Sequence, residues 1–303
     1  MLLVATGDTM AHRSAGVASG GELLALAGPA PTRVVVEDVL AEPSWDTSTS
    51  TQLALARRVR KALAEDEFAG VVVTHGVDSL EDTAFLADLM AGPAAARGGI
   101  VFTGGGRSLA DPAADGPRNL ADSLAAAADP ALRGAGAVVC LGGELHAARW
   151  ATLADPTRFV SAPHPTLGRV VDGRVRLTST PPPRPPHPRG EPESDVALVK
   201  TYPDMPSSLL TLVTDAGARG VVLEGTGAGN VPVELFATIG ELTRWDIPVV
   251  VASRVATSGL GLVGQLGAIG AHGLPPGKAR VALMVALADG GGVPAARTWF
   301  EGR

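Results

Sequence analysis

The chain has 303 residues, 46% of them hydrophobic and 18% charged, which describes a globular protein with a real core, in one large domain or two ordinary ones, and excludes a disordered chain. A formal net charge of −6, with only Lys61, Lys200 and Lys278 as lysines, argues against a nucleic acid or an anionic membrane as partner, because both call for clustered positive charge. The single cysteine, Cys140, excludes an internal disulfide and a cysteine-based zinc site, and fits a reducing compartment, the cytoplasm.

The opening "MLLVATGDTM" lacks the basic flank and the length of a signal peptide or membrane span, and reads as a first strand, residues 2–5, that ends in a polar turn. Short apolar runs recur at Val34–Val36, Gly70–Thr74, Ile100–Thr103 and Ala137–Leu141, with helical stretches such as "QLALARRVRKALAED" and "NLADSLAAAADPALR" between them. Continuous apolar strands separated by helices predict a doubly wound, mainly parallel sheet covered on both faces. After the strand 70–74 the chain reads "HGVDSLEDT", in which Asp78 suits a helix N-cap and Glu81 completes a capping box. Further on, "LGRVVDGRVRL" predicts a hairpin turning at Asp172 and Gly173, and Cys140 falls in an apolar run where a buried position is expected.

Residues 181–192, "PPPRPPHPRGEP", hold seven prolines in twelve positions, which predicts a stiff, extended, solvated connector. The α/β rhythm then resumes with "VALVK", a helix at 206–218, "GVVLEG", a helix at 233–243, "IPVVVAS" and a last helix from near Gly277. The expected organisation is an α/β domain over residues 1–180, a proline-rich linker over 181–194 and a smaller α/β domain over 195–303.

Polar clusters stand where predicted strands end: "ATGDT" at 5–9, "THGVDSLEDT" at 74–83, "TGGGRSLADPAADGPRNL" at 103–120, and "GTGAGNVP" at 225–232 with "SRV" at 253–255. No GxGxxG follows the first strand and no Walker lysine occurs, so nucleotide binding is a poor reading. In this order and spacing the clusters resemble those of the bacterial-type L-asparaginase and glutaminase-asparaginase family. "ATGDT" is similar to the family's ATGGT, "THGVDSLEDT" to its THGTDTxEET, and "GGGRSLADPAADGPRNL" to its GAMRPxxxxSADGPxNL; the likeness runs from residue 4 to about residue 289. The resemblance implies two α/β domains, the N-terminal one larger, assembled as a homodimer or homotetramer. It also implies hydrolysis of a carboxamide through a threonine acyl-enzyme, with no metal and no organic cofactor.

Carried over by residue, the resemblance puts the nucleophile on Thr9, the holder of the substrate's α-carboxylate on Ser44 with Trp45 beside it, the grip on the α-amino group on Asp78, and the neighbouring subunit's asparagine on Asn230. A hydroxyl is a weak nucleophile at neutral pH and needs a base. Here the sequence departs from the pattern. Val77 stands where the family has its second threonine, and Leu153 near where it has a lysine. No lysine occurs between Lys61 and Lys200, and arginine does not act as a base at ordinary pH. Ser14 beside Arg13 stands near the mobile-loop tyrosine, and residues 255–277 contain no acid.

"ATGDT" supplies an added carboxylate, Asp8, next to the nucleophile, which reads equally as a replacement base or as a charge that repels an α-carboxylate and alters substrate choice; His75, the nearest imidazole, is the other candidate base, although its place in the THG signature favours a structural hydrogen bond. Removing one member of a proton relay commonly costs orders of magnitude in rate. The expectation is therefore an amidohydrolase weak on free asparagine and turned to another amide or amino-acid-like ligand; the alternative is a catalytically inactive homologue that binds a small ligand or serves as a scaffold. Arg107, Asp115 and Asn119 are expected to brace the fold rather than act on substrate.

Overall fold

The computed structural model describes residues 1–39, 43–188, 190–253, 255 and 261–302. The chain divides into two units, Met1–His187 and Pro188–Arg303, and the division falls inside the proline-rich stretch. The first unit carries strands β1 (Leu2–Ala5), β2 (His12–Arg13), β3 (Gly16–Val17), β4 (Val35–Asp38), β5 (Gly70–Thr74), β6 (Gly99–Thr103), β7 (Ala137–Leu141), β8 (Glu144–Ala147), β9 (Thr152–Asp155), β10 (Arg158–Val160), β11 (Gly168–Val171) and β12 (Arg174–Leu177). Its helices are α1 (Gly20–Ala27), α2 (Thr49–Ala64), α3 (Val77–Ala91) and α4 (Gly116–Ala128).

An eight-stranded sheet runs in the order β12-β11-β8-β7-β6-β5-β1-β4. The strands from β4 to β7 pair in parallel, whereas β8, β11 and β12 are added antiparallel. The parallel strands are apolar on both faces because both are covered. Leu3, Val72, Val101 and Val138 lie in register and pack with Leu23 of α1 and with Leu120 and Leu124 of α4, while α2 and α3 pack together against the sheet. The chain goes from β1 outward to β4 and then returns to β5 on the other side of β1. The switch of winding direction therefore lies between β1 and β5, where an open α/β sheet leaves a crevice at its carboxyl edge.

The expected hairpin is present, with Asp172 and Gly173 both at positive φ (51° and 68°), the backbone of a two-residue primed turn. Cys140 is fully buried, and burial pushes its thiol up to about 12. The sequence reading had no place for the short pairs β2–β3 and β9–β10 or for β8, whose segments are too brief to show a period.

The proline-rich stretch differs from a solvated connector. Arg184 donates from Nε to Asp88 Oδ1 (3.1 Å) and from its terminal nitrogens to the carbonyls of Gly92 (2.9 Å) and Asp88 (2.6 Å), so this part of the stretch is strapped onto the first unit. The same Asp88 oxygen accepts from Ala137 N (2.9 Å).

The second unit is a four-stranded parallel sheet, β13 (Val196–Lys200), β14 (Gly220–Gly225), β15 (Val249–Ser253) and β16 (Ile269–Gly270), with helices α5 (Ser208–Asp215), α6 (Phe236–Arg244), α7 (Pro276–Ala286) and α8 (Val293–Glu301). Helix α8 follows the last helix expected from the sequence, the one from near Gly277, and is an addition to it; a proline in its first turn is a start signal. Among the described residues no helix is long and apolar enough to cross a membrane.

Candidate functional site

Loops from β1, β4 and β5, neighbours in the sheet, meet at its carboxyl edge. Threonine hydroxyls close the strand ends: Thr6 Oγ1 donates to Thr74 O (2.8 Å) and Thr103 Oγ1 to Cys140 O (2.8 Å), satisfying carbonyls the ladder leaves open. Past Thr6 the chain turns through Gly7 and Asp8 into a short 3-10 turn, Thr9–Ala11, capped by the Asp8 side chain.

Asp8 is the unusual residue. Its backbone sits at φ 66° and ψ −166°, a region essentially reserved for glycine, in which a residue with a Cβ is strained by about 1–3 kcal/mol. Its carboxylate is buried (2% exposed) and fully engaged. Oδ1 accepts from Thr9 N (2.5 Å) and from the Thr9 hydroxyl (2.9 Å), and Oδ2 accepts from Ser44 N (2.6 Å).

Ser44 is buried on the turn Ser44–Asp46 that follows β4; its hydroxyl donates to Asp78 Oδ2 (3.1 Å), and its carbonyl accepts from Ser79 Oγ (2.6 Å). Asp8, Thr9, Ser44 and Asp78 are thus joined in one chain of hydrogen bonds. Gly76 seals it from below. A Cβ there would lie 1.9 Å from Asp8 Oδ2 and 2.2 Å from Ser44 Oγ, so glycine is required by space, its φ of −67° being open to any residue. Gly76→Ala is expected to separate Asp8 from Ser44, lowering both the melting temperature and whatever turnover the wild type shows; wild-type behaviour in both measurements would refute this packing.

The capping box is corrected by the structure. Helix α3 begins at Val77 with Gly76 as N-cap and no side-chain cap; Asp78 instead meets Ser44, and Glu81 Oε2 accepts from Leu153 N (2.6 Å). Asp78 is exposed, and a helix-capping role no longer accounts for it. Val77 is buried beneath Gly104, and Leu153 lies on β9.

His75 is brought next to Asp8 but is spoken for. Nδ1 lies 2.8 Å from Gly76 O, which can only accept, so Nδ1 carries the proton; Nε2 lies 3.1 Å from the Thr83 hydroxyl. Burial pushes its pKa down, against the Gly76 carbonyl and the Asp8 charge, so the ring is neutral at neutral pH. With both nitrogens engaged, His75 braces the strand-to-helix turn, and its candidacy as a base finds no geometric support.

Trp45 shares the Ser44 turn but is 70% exposed, outside the buried cluster. Asn230 belongs to the second unit, where its carbonyl accepts from Thr226 N (2.9 Å) and its side chain is exposed. Arg254, inside the "SRV" motif, lies outside the described residues. Asp115 and Asn119 brace the β6 loop: Asp115 accepts from Gly106 N and Arg107 N (3.1 Å each), while Asn119 donates to Gly104 O (2.9 Å) and accepts from Gly142 N (3.0 Å). Ser14 turns the exposed hairpin β2–β3, held by Ser108 Oγ donating to His12 O (2.8 Å). Among the described residues no group of three or more His, Cys, Asp or Glu side chains is placed to hold a metal ion.

Gly76, Ser79 and Thr83 escaped the sequence reading as site residues. The signal was present in the polar run at 74–83, but only a fold shows that Ser79 reaches back to Ser44.

A doubly wound sheet with a hydroxyl and a carboxylate paired at its switch point, followed by a smaller parallel domain, defines a two-domain α/β protein with a candidate site at the carboxyl edge of its larger sheet. Residues 1–183 match the family model "Asparaginase, N-terminal" and residues 195–300 match "Glutaminase/Asparaginase C-terminal domain"; the chain belongs to the asparaginase family, amidohydrolases acting on carbon–nitrogen bonds. It is similar to a glutaminase-asparaginase of Pseudomonas fluorescens biotype A (27% identical, covering 95% of this chain and 86% of that protein). It is also similar to L-asparaginase 2 of Escherichia coli strain K12 (29% identical, 83% and 75%). Among solved structures, a probable cytoplasmic L-asparaginase from Campylobacter jejuni superposes with a TM-score of 0.86 at 25% identity, over 99% of this chain and 98% of that one.

Proposed function

We propose that the protein is an amidohydrolase in which Thr9 is the nucleophile and Asp8 its base, with Asp78 on the substrate and Ser44, the substrate contact that the family resemblance implies, holding the two carboxylates in place. The observation that carries this reading is the 2.9 Å hydrogen bond from the Thr9 hydroxyl to Asp8 Oδ1, within the reach a general base requires. Thr9 Oγ attacks the amide carbon while its proton passes to Asp8. Asp8 then returns the proton to the leaving nitrogen, the C–N bond breaks, and ammonia departs from a threonine ester. Water adds to the ester carbonyl and gives a proton to Asp8; the C–Oγ bond breaks as Thr9 Oγ recovers that proton, and the carboxylic acid is released. Each step needs one group that alternately takes and gives a proton, and Asp8 is the carboxylate in contact with the hydroxyl.

Asparagine is a poor substrate in this reading, because Val77 and Leu153 supply neither the hydroxyl nor the amine of the family's relay. Residues 1–180 carry the nucleophile, residues 195–303 present Asn230 to a neighbouring copy in a homodimer or homotetramer, and Trp45 stands at the rim. The cytoplasm is the proposed compartment, in line with the probable cytoplasmic L-asparaginase from Campylobacter jejuni that shares the fold and with the lone, buried thiol.

The alternative is an inert homologue that binds a small amide or amino-acid-like ligand or acts as a scaffold; the apolar side chain of Val77 at the relay position favours it. Ammonia release from asparagine, glutamine and a panel of other primary amides separates the two. Wild type releasing ammonia from at least one amide, and Thr9→Ala from none, is the expected outcome; identical rates for both proteins on every amide would leave the inert reading.

A further inference from the structure

The hydrogen-bonded cluster around Thr9 is anionic and unbalanced. Asp8 presents its carboxylate to the Thr9 hydroxyl on one side and occupies the Ser44 N–H on the other. Asp78, exposed, takes the Ser44 hydroxyl. Two donors that could have received an anion from solution are therefore already filled by the protein's own carboxylates. Among the described residues neither Asp8 nor Asp78 forms an ion pair with Arg, Lys or His. The adjacent imidazole of His75 has both nitrogens committed elsewhere. Two uncompensated carboxylates that share one serine repel an incoming carboxylate and attract a cation, strongly so where one of them is shielded from water.

Resting on the amidohydrolase reading, we propose that the substrate class is a primary amide that carries an ammonium group and no carboxylate, an aminoalkanamide rather than an amino acid. Asp78 receives the ammonium, Thr9 faces the amide carbon, and Asp8 stands where a substrate carboxylate would otherwise have to lie. Specificity of this kind comes as much from the repulsive element as from the attractive one.

The test uses ligands that differ by one charged group: 3-aminopropanamide, which is asparagine without its α-carboxylate; asparagine itself; and succinamate, which is asparagine without its amine. Calorimetric titration of Thr9→Ala removes turnover from the measurement, and kcat/KM of the wild type is followed in parallel. The expected order is 3-aminopropanamide bound about tenfold or more tightly than asparagine, with succinamate weakest. Tenfold is a modest fraction of the repulsion between two carboxylates near contact. Adding Asp8→Asn to Thr9→Ala is expected to narrow the gap between the first two by about tenfold, again the scale of one like-charge contact.

Asparagine bound as tightly as 3-aminopropanamide, or no binding of any of the three, overturns the proposal. The expected order with no hydrolysis of any amide by the wild type would leave the charge selection standing and remove the amidohydrolase reading instead.

Discussion

Asp8→Asn is expected to lower kcat for the protein's best amide substrate by about 10²–10⁴-fold, the range that a positioned general base contributes. The amide has one oxygen, which can still accept from Thr9, but it cannot take the hydroxyl proton as the bond to carbon forms. Its other terminus presents an NH2 to the Ser44 N–H, donor against donor, so the variant also loses about 1–3 kcal/mol of stability and is compared with wild type at a temperature where both remain folded. Substrate affinity should change far less than turnover for a neutral amide, which separates loss of a base from collapse of the pocket. Turnover within a factor of about three of wild type would show that Thr9 finds its base elsewhere, since removal of a true base costs far more.

Arg184→Ala is expected to destabilise the first unit by about 3–5 kcal/mol, because it leaves Asp88 buried without the cation that compensates it. Burial already pushes the Asp88 pKa up, and Arg184 is the foremost influence pulling it back. The guanidinium also satisfies two carbonyls, of Gly92 and Asp88, that the truncation would strand. A urea titration read at the transition of the first unit is the measurement. Adding Asp88→Ala should recover part of the loss, since the double variant no longer buries the Asp88 carboxylate, and only part, because Asp88 also offsets the buried charge of Arg149. A single-variant loss below about 1 kcal/mol would mean that the strap is a surface contact of ordinary strength.

Strands were the most legible feature of the sequence. Runs such as "GVVVT" and "AVVCL" are apolar at every position because both faces of a parallel sheet are buried, and β5 and β7 carry the residue limits the runs suggested. The start of α3 was misread for a physical reason. An acidic residue after a strand, with Glu three positions on, is the pattern of a capping box, and nothing local says that Ser44 and Leu153 have claimed those two carboxylates. Arg184 was illegible in the same way, since its partner is 96 residues distant and a proline-rich neighbourhood reads as solvated.

At the site, the pairing of Asp8 with Thr9 was visible as adjacency, but the strained backbone that aims the carboxylate was not, because "TGDT" is compatible with an ordinary turn. His75 could be named as the nearest imidazole; only the Gly76 carbonyl and the Thr83 hydroxyl reveal that it is fully occupied.

The claim on which the functional account turns is that carbon–nitrogen cleavage passes through an ester on Thr9. Mass analysis of protein quenched during turnover of its best amide, followed by mapping of the N-terminal peptide, tests it most directly. The expected result is an added acyl mass on Thr9 that disappears as substrate is exhausted and never forms in Thr9→Ala. An acyl mass on any other side chain, or unmodified Thr9 in protein that is releasing ammonia, would contradict it.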